Sequence, residues 1–256
     1  FKNKIEKEFD IIISCGRKSV IPSIYLKKNS NKKIINIHVQ NPKVSIDNFD
    51  YIVSPEHDNL NGHNVINSKG AIHYLTLDEI KSEKNYLENK LEKNKDIITL
   101  ILGGPTNYYD YSNENIIRIF SLVNKHLIEQ NLQLILIPSN RTPKETITFA
   151  KEYFNKSRLI IDNVDKRAYL SSLALSKYIV VTCDSSSMIS EAALTGKPVY
   201  VAMIPPRRND KRLNKFRSLF KELNIIKELS EDLTSWNYES LNETYRVASI
   251  IKDKIK

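Results

Sequence analysis

The stretch YIVVTCDSSSMISEAALTGKPVYVA, residues 178–202, holds a continuous apolar run, a turn of small polar residues, an amphipathic segment and a second apolar run closed by Gly196 and Pro198. A run of five β-branched and aromatic residues with no polar alternation is the pattern of a strand covered on both faces, and a helix between two such runs makes a parallel crossover unit. The same grammar extends in both directions. Strands are expected at 10–14, 33–38, 50–53, 97–102, 132–137, 158–161, 178–182 and 198–202, and helices at 18–28, 77–93, 112–130, 143–155, 166–175, 186–195, 210–223 and 238–254. Strands alternating with helices predict an α/β protein built on parallel sheets.

The 256 residues allow one large domain or two ordinary ones. Residues 77–96 contain Asp78, Glu79, Lys81, Glu83, Lys84, Glu88, Lys90, Glu92, Lys93 and Lys95, a segment so charged that it reads as a solvated boundary. It divides the chain into an N-terminal Rossmann-like domain over 1–92 and a C-terminal one over 93–240. Residues 241–256, with an apolar stripe at Leu241, Tyr245, Ala248, Ile251 and Ile255, are expected to form a helix packing between or across the two. Because a parallel α/β domain usually opens with a strand and helix of its own, and the chain starts at Phe1 just before the run Ile11-Ile12-Ile13, the N-terminal domain is expected to be truncated, with native sequence upstream.

Composition excludes several classes. No apolar run approaches the ~18–20 residues that cross a bilayer, and only 6 Gly and 9 Pro argue against fibrous or linker chains. Cys15 and Cys183 are far apart, which predicts no disulfide framework and a reducing compartment, the cytoplasm, with peripheral attachment at the inner membrane as the open alternative. The net charge of +9 is local: residues 1–33 and 207–221 each carry +6 and the remainder −3. Basic residues without interleaved aromatics or a recognised motif do not make a nucleic-acid surface, so no nucleic-acid partner is expected. The second segment is rich in Arg, the residue that binds phosphate and carboxylate with a two-pronged fork. Arg207, Arg208, Lys211, Arg212, Lys215 and Arg217 are therefore candidates for meeting a phosphate-bearing donor or an anionic membrane.

In parallel sheets ligands bind outside the carboxyl ends of strands. Three such loops share one chemistry: Gly103, Gly104, Thr106 and Asn107 after 97–102; Ser139, Asn140, Arg141 and Thr142 after 132–137; and Asp184, Ser185, Ser186 and Ser187 after 178–182, followed by Met188. Glycines admit close backbone approach, and hydroxyls at a helix start add donors to its partial positive charge. Together the loops read as a nucleotide or nucleotide-sugar pocket; singly, each also fits a turn or an N-cap. Glu191, one helical turn beyond Ser187, places a carboxylate where ribose hydroxyls could be held, or merely complements the helix dipole. There is no Walker loop and no G-x-G-x-x-G.

Four of five histidines, His38, His57, His63 and His73, cluster without the spacing of a metal motif, so no metal is expected. Glu56, His57 and Asp58 follow the strand at 50–53, where one of them could act as general base on an acceptor hydroxyl; the alternative is a hydrogen-bonded loop closed by Pro55. Ser14, Gly16, Arg17 and Lys18 form another polar loop after the first strand.

The motifs GRKSVIP, FDYIVSPEHD, NGHNVINSKGAIHYLT, ILGGPTNYYDY, SNRTP and VVTCDSSSMISEAALTGKPVYV, in this order, resemble the elongated-mitochondria (mitochondrial fission) family across residues 10–247. The resemblance implies a glycosyltransferase-B-like architecture with two facing Rossmann-like domains, the C-terminal one binding a nucleoside-diphosphate sugar and the N-terminal one an acceptor. It also implies that the helix after 178–182 offers its N-terminus to the diphosphate and Glu191 holds the ribose, with Ser185, Ser186 and Ser187 matching by position. Family members usually carry a further N-terminal stretch. The chain departs at Cys15, where a small residue is common, and at Arg167-Ala168-Tyr169, where Asn-Pro-Tyr is common. The expected activity is metal-independent glycosyl transfer with no cofactor beyond the donor sugar nucleotide. The alternatives are a non-catalytic scaffold on a membrane and a hydrolysing epimerase of UDP-sugars.

Overall fold

A computed structural model describes residues 9–154 and 158–255 and divides them into two compact units. The first contains β1 (Ile11–Cys15), α1 (Arg17–Lys28), β2 (Ile35–Val39), β3 (Tyr51–Pro55) and β4 (Val65–Ser68). These strands form one parallel sheet in the order β1-β2-β3-β4. Alternation sorts its two faces. Ile52 packs with Val20 of α1 and Phe49, while Ile37, Val53 and Ile66 pack with Val247 of the last helix.

The second unit holds α2 (Leu77–Ser82), α3 (Asn85–Glu88), β5 (Ile97–Leu102), α4 (Asn113–Glu129), β6 (Gln133–Pro138), α5 (Lys144–Phe154), β7 (Leu159–Ile160), α6 (Lys166–Leu175), β8 (Tyr178–Thr182), α7 (Ser186–Ala193), β9 (Val199–Ala202), α8 (Lys211–Glu222) and β10 (Ile226–Glu228). Its sheet is parallel, in the order β10-β9-β8-β5-β6-β7. Every residue of β5, β6 and β8 is buried, as continuous apolar runs require when helices cover both faces. Where a strand position is polar it is satisfied: Thr99 of β5 lies 2.5 Å from the Ser176 hydroxyl. The covering helices are amphipathic. Ser112 caps α4, whose apolar face buries Ile116, Ile119, Phe120, Val123 and Leu127.

The chain leaves β5 toward β6 and β7 on one side and returns to β8, β9 and β10 on the other. The order therefore reverses between β5 and β8, and the loops after these two strands meet at the switch point where α/β sheets bind ligands.

The units divide elsewhere than the charge pattern predicts. Residues 73–92 belong to the second unit, because α2 and α3 pack on α6 with Ile80 and Leu87 buried despite their charged neighbours. The expected single helix over 77–93 is two short ones; Thr76 and Glu79 form a capping box on the first. The C-terminal helix α9 (Glu243–Lys254) lies on the first unit, where Glu243 accepts from the Lys69 amide at 2.7 Å and Arg246 donates to the Asn67 carbonyl at 2.6 Å.

Candidate functional site

The three loops at the carboxyl ends of β5, β6 and β8 are joined by one buried carboxylate. Asp184, whose side chain is 0% exposed, accepts from the Gly104 amide at 3.2 Å, from the Tyr111 hydroxyl at 2.7 Å and from Arg141 at 2.7 Å. Thr182 Oγ1 accepts from the Gly103 amide at 2.8 Å and lies 2.8 Å from the Tyr111 hydroxyl. On the other side Thr142 Oγ1 donates to the carbonyls of Leu102 and Gly103 and accepts from the Ser139 amide. Burial, and next the Asp184 charge, push the Tyr111 hydroxyl well above its ordinary pKa, so it stays a donor.

This network explains the two glycines by close approach. A Cβ on Gly103 would collide with the Asp184 carboxylate, and one on Gly104 with the Arg141 backbone carbonyl. Asp184, Gly103, Gly104 and Thr142 thus hold the loops together, whereas Arg141, with 42% of its side chain exposed, keeps donors toward solvent while contacting Asp184 and the Gly104 carbonyl.

Two cavities border α7. The larger, about 590 Å³, is lined by Thr106, Asn107 and Tyr108, by residues 184–187 and by residues 209–213. Its volume falls in the ~300–1,000 Å³ range of small-molecule sites. Ser185 caps α7, accepting from the Met188 amide, so the first-turn amides and the hydroxyls of Ser186 and Ser187 sit at the cavity. Lys211 and Arg212 add positive charge on the facing wall. One helix N-terminus flanked by hydroxyls and two cations is an environment for an anion.

The smaller cavity, about 250 Å³, is lined by Ser139 and Asn140, by Met188 and Glu191, and by apolar Ile101, Ile137 and Val164 with Tyr74 and Tyr169. Tyr169 donates to Glu191 Oε2 at 2.6 Å, while Oε1 accepts no hydrogen bond from a described residue. Burial pushes the Glu191 carboxyl up, partly offset by the Tyr169 hydroxyl. Burial and the adjoining carboxylate hold Tyr169 protonated. The pre-oriented carboxylate oxygen suits a pair of hydroxyls, and the apolar walls suit a flat ring. Asp165 caps α6 through the Arg167 and Ala168 amides, and the Arg167 side chain turns to Glu83, 2.8 Å away.

The basic segment behaves unlike a uniform surface patch. Arg208, Lys211, Arg212 and Lys215 are exposed, and Arg207 pairs with Asp110. Arg217 is interior, its side chain only 5% exposed, and so meets no membrane or ligand. It sits on the apolar stripe of α8 between Phe216 and Phe220 and donates to Asp210 at 2.6 Å, to the Tyr109 hydroxyl at 2.9 Å and to the Cys183 carbonyl at 3.4 Å. Burial opposes its charge, but the bonds to Asp210 and Tyr109 win and raise its pKa. Removing one partner of such a buried pair costs about 3–5 kcal/mol.

In the first unit Glu56, His57 and Asp58 form a single 3₁₀ turn after β3, closed by Asn59 in the left-handed region at φ 51°. Glu56 is exposed, His57 is buried and Asp58 is half-buried, with His57 Nε2 3.8 Å from Asp58 Oδ1. His38 is lodged in the sheet 2.8 Å from the Ser14 hydroxyl, and burial lowers its pKa. Among the described residues no group of three or more His, Cys, Asp or Glu side chains is placed to hold a metal ion, and no helix is long and apolar enough to cross a membrane.

Sequence reading missed Tyr108, Tyr111, Tyr169, Asn209 and Asp210. Tyr108 and Tyr111 stand in the segment ILGGPTNYYDY and Tyr169 in Arg167-Ala168-Tyr169, but nothing local gave any of the three a role. Arg217 did carry a signal: it falls four residues after Leu213 and three before Phe220, on the buried stripe.

Comparison with known proteins supplies the family. The chain is similar to RP120 of Rickettsia prowazekii, 29% identical over 96% of this chain and 80% of that protein. It is also similar to the mitochondrial fission protein ELM1 of Arabidopsis thaliana, 24% identical over 96% of this chain and 64% of that protein. Among solved structures, UDP-GlcNAc 2-epimerase from Neisseria meningitidis, bound to UDP-GlcNAc, superposes with a TM-score of 0.55 at 13% identity, covering 95% of this chain and 68% of that one. That likeness gives the fold, α/β with parallel sheets of the glycosyltransferase-B type. The model of the family described as mitochondrial fission ELM1 matches residues 2–255, and the chain belongs to that family.

Proposed function

We propose that the second unit binds a nucleoside-diphosphate sugar and that the protein transfers its glycosyl group to an acceptor without a metal ion. The observation that carries this reading is the 590 Å³ cavity at the sheet's switch point, where the α7 N-terminus with Ser185, Ser186 and Ser187 faces Lys211 and Arg212. Such a site stabilises a diphosphate as bound donor and, more so, as departing leaving group, because the dipoles are already oriented when negative charge develops. The nucleoside is assigned to the smaller cavity, with the ribose hydroxyls on Glu191 Oε1 and the base between the apolar walls near Ser139 and Asn140. Arg141, held beside Asp184 with part of its guanidinium exposed, and the exposed Arg208, next in sequence to the 209–213 wall, are further candidates for adding charge. The solved relative bound to UDP-GlcNAc makes a uridine nucleotide the first probe.

Within the first unit the Glu56–Asp58 turn is the candidate general base for an acceptor hydroxyl, with Glu56 its exposed carboxylate and His57 and Asp58 its neighbours. Thermal melting against a panel of nucleotides tests donor binding: saturation at 100 times the Kd adds about 2.7 kcal/mol. Stronger stabilisation by UDP or another nucleoside diphosphate than by the nucleoside alone is expected. No stabilisation by any nucleoside diphosphate at millimolar concentration refutes the reading, and release of UDP from a UDP-sugar without acceptor replaces transfer by hydrolysis. A peripheral-membrane reading is favoured only by the exposed cations Arg208, Lys211, Arg212 and Lys215. Flotation with anionic vesicles that UDP does not affect would support it.

A further inference from the structure

The larger cavity has three walls, formed by residues 106–108, 184–187 and 209–213. One buried side chain ties all three together. Arg217, two turns into α8, donates to the hydroxyl of Tyr109, which directly follows the first wall, to the carbonyl of Cys183, which directly precedes the second, and to the carboxylate of Asp210 within the third. A planar guanidinium sends donors in fixed directions, which an ammonium cannot reproduce.

Asp210 is the informative partner. It occupies the N-cap position of α8 yet makes no side-chain cap bond. Its carboxylate accepts instead from Arg217 and from Tyr109, and the Lys211 amide donates to Asn209 Oδ1 at 3.0 Å. An unrestrained aspartate at an N-cap accepts from the amides two or three residues on. Asp210, at φ −101° and ψ 29°, lies outside the extended backbone of an ordinary N-cap, so a carboxylate released from Arg217 would stand as a negative charge without its cation on the wall that carries Lys211 and Arg212.

We propose that Arg217 is a positioning residue of the diphosphate site, fixing the spacing of its three walls and withholding the Asp210 carboxylate from the head of α8, where it would compete with phosphate. This rests on the reading of the cavity as a diphosphate site. Arg217 touches no ligand itself; it acts through Asp210, Tyr109 and the Cys183 carbonyl.

The test compares UDP with uridine by calorimetry, since only the diphosphate depends on these walls. Arg217→Met leaves the Asp210 charge unpaired and is expected to lower the melting temperature. Arg217→Met/Asp210→Asn removes that charge and should melt close to wild type, yet still bind UDP at least tenfold more weakly with uridine affinity unchanged. Arg217→Lys should restore the UDP preference only in part. Tyr109→Phe leaves no charge unpaired and should lose several-fold in UDP affinity, and it decides the matter if the Arg217 variants do not fold. A folded variant with the wild-type ratio of UDP to uridine affinity overturns the proposal, as does equal loss for both ligands, which makes Arg217 general scaffolding. A wild-type protein with no preference for UDP over uridine fails earlier, at the assignment of the cavity itself.

Discussion

A negative charge introduced at the head of α7 separates ligand binding from stability. Ser187 is the second residue of that helix, exposed, and lines the larger cavity. In Ser187→Asp the new carboxylate lies at the positive end of the dipole, which favours the folded helix by about 0.3–1 kcal/mol. It also occupies the position assigned to the diphosphate. Two unit charges roughly 5 Å apart at an effective dielectric of ~20 repel by about 3 kcal/mol, near two orders of magnitude in Kd. Ser187→Ala removes only one hydroxyl donor, about 0.5–1.5 kcal/mol and tenfold at most. Calorimetric titration with UDP and a thermal melt of each variant read both quantities. The expected pattern is a melting temperature equal to or above wild type in Ser187→Asp together with an affinity loss near 100-fold, shrinking as salt is raised. Unchanged UDP affinity in a folded Ser187→Asp protein refutes the assignment of phosphate to this helix.

Three further outcomes follow from the same contacts. Gly103→Ala drives a Cβ into the Asp184 carboxylate, which three donors hold in place; a loss of about 3 kcal/mol, the upper end of overpacking effects, should appear in the denaturation midpoint, and a neutral result would show the loops to be looser than described. Burial raises the Glu191 carboxyl in the native state, so the native protein holds that proton more tightly than the unfolded chain; its contribution is favourable at low pH and is lost as pH rises through the native value. Glu191→Gln should therefore stabilise the protein more at pH 8 than at pH 4 in denaturant melts, and an equal difference at both pH values would contradict the burial argument. Cys15 is exposed, whereas burial pushes the Cys183 thiol up to about 11, so a thiol reagent at neutral pH should modify one cysteine per native chain and two only in denaturant; two rapid modifications of the native chain would place Cys183 at the surface.

The fold was readable wherever burial was continuous. The runs at 97–102 and 178–182 are apolar throughout because both faces of the sheet are covered, and the strands lie there. Strand β4, with the sequence Val-Ile-Asn-Ser, and the three-residue β10 were invisible, since neither is long or apolar enough to show a period. The boundary was misplaced because charge density hid the few residues that decide it: Leu75, Ile80 and Leu87 bury in the second unit among side chains that stay in water. At the site, the glycines and the serine turn were legible from local chemistry. Asp184 looked like a ligand-facing N-cap but lies inside, bound by residues 40 to 80 positions away, and such long-range partners leave no local signature. Arg217 misled for the opposite reason: counted as charge it belongs to a surface patch, placed on the helical stripe it belongs to the core.

The central claim is that a nucleoside diphosphate rests on the N-terminus of α7 between the walls of the larger cavity. Hydrogen exchange of the backbone amides, followed with and without saturating UDP, tests it most directly. The account predicts slowed exchange at residues 185–188, with smaller effects at 106–108 and 209–213. Binding of UDP that leaves the amides of 185–188 unchanged, or that protects only segments outside both cavities, would contradict it.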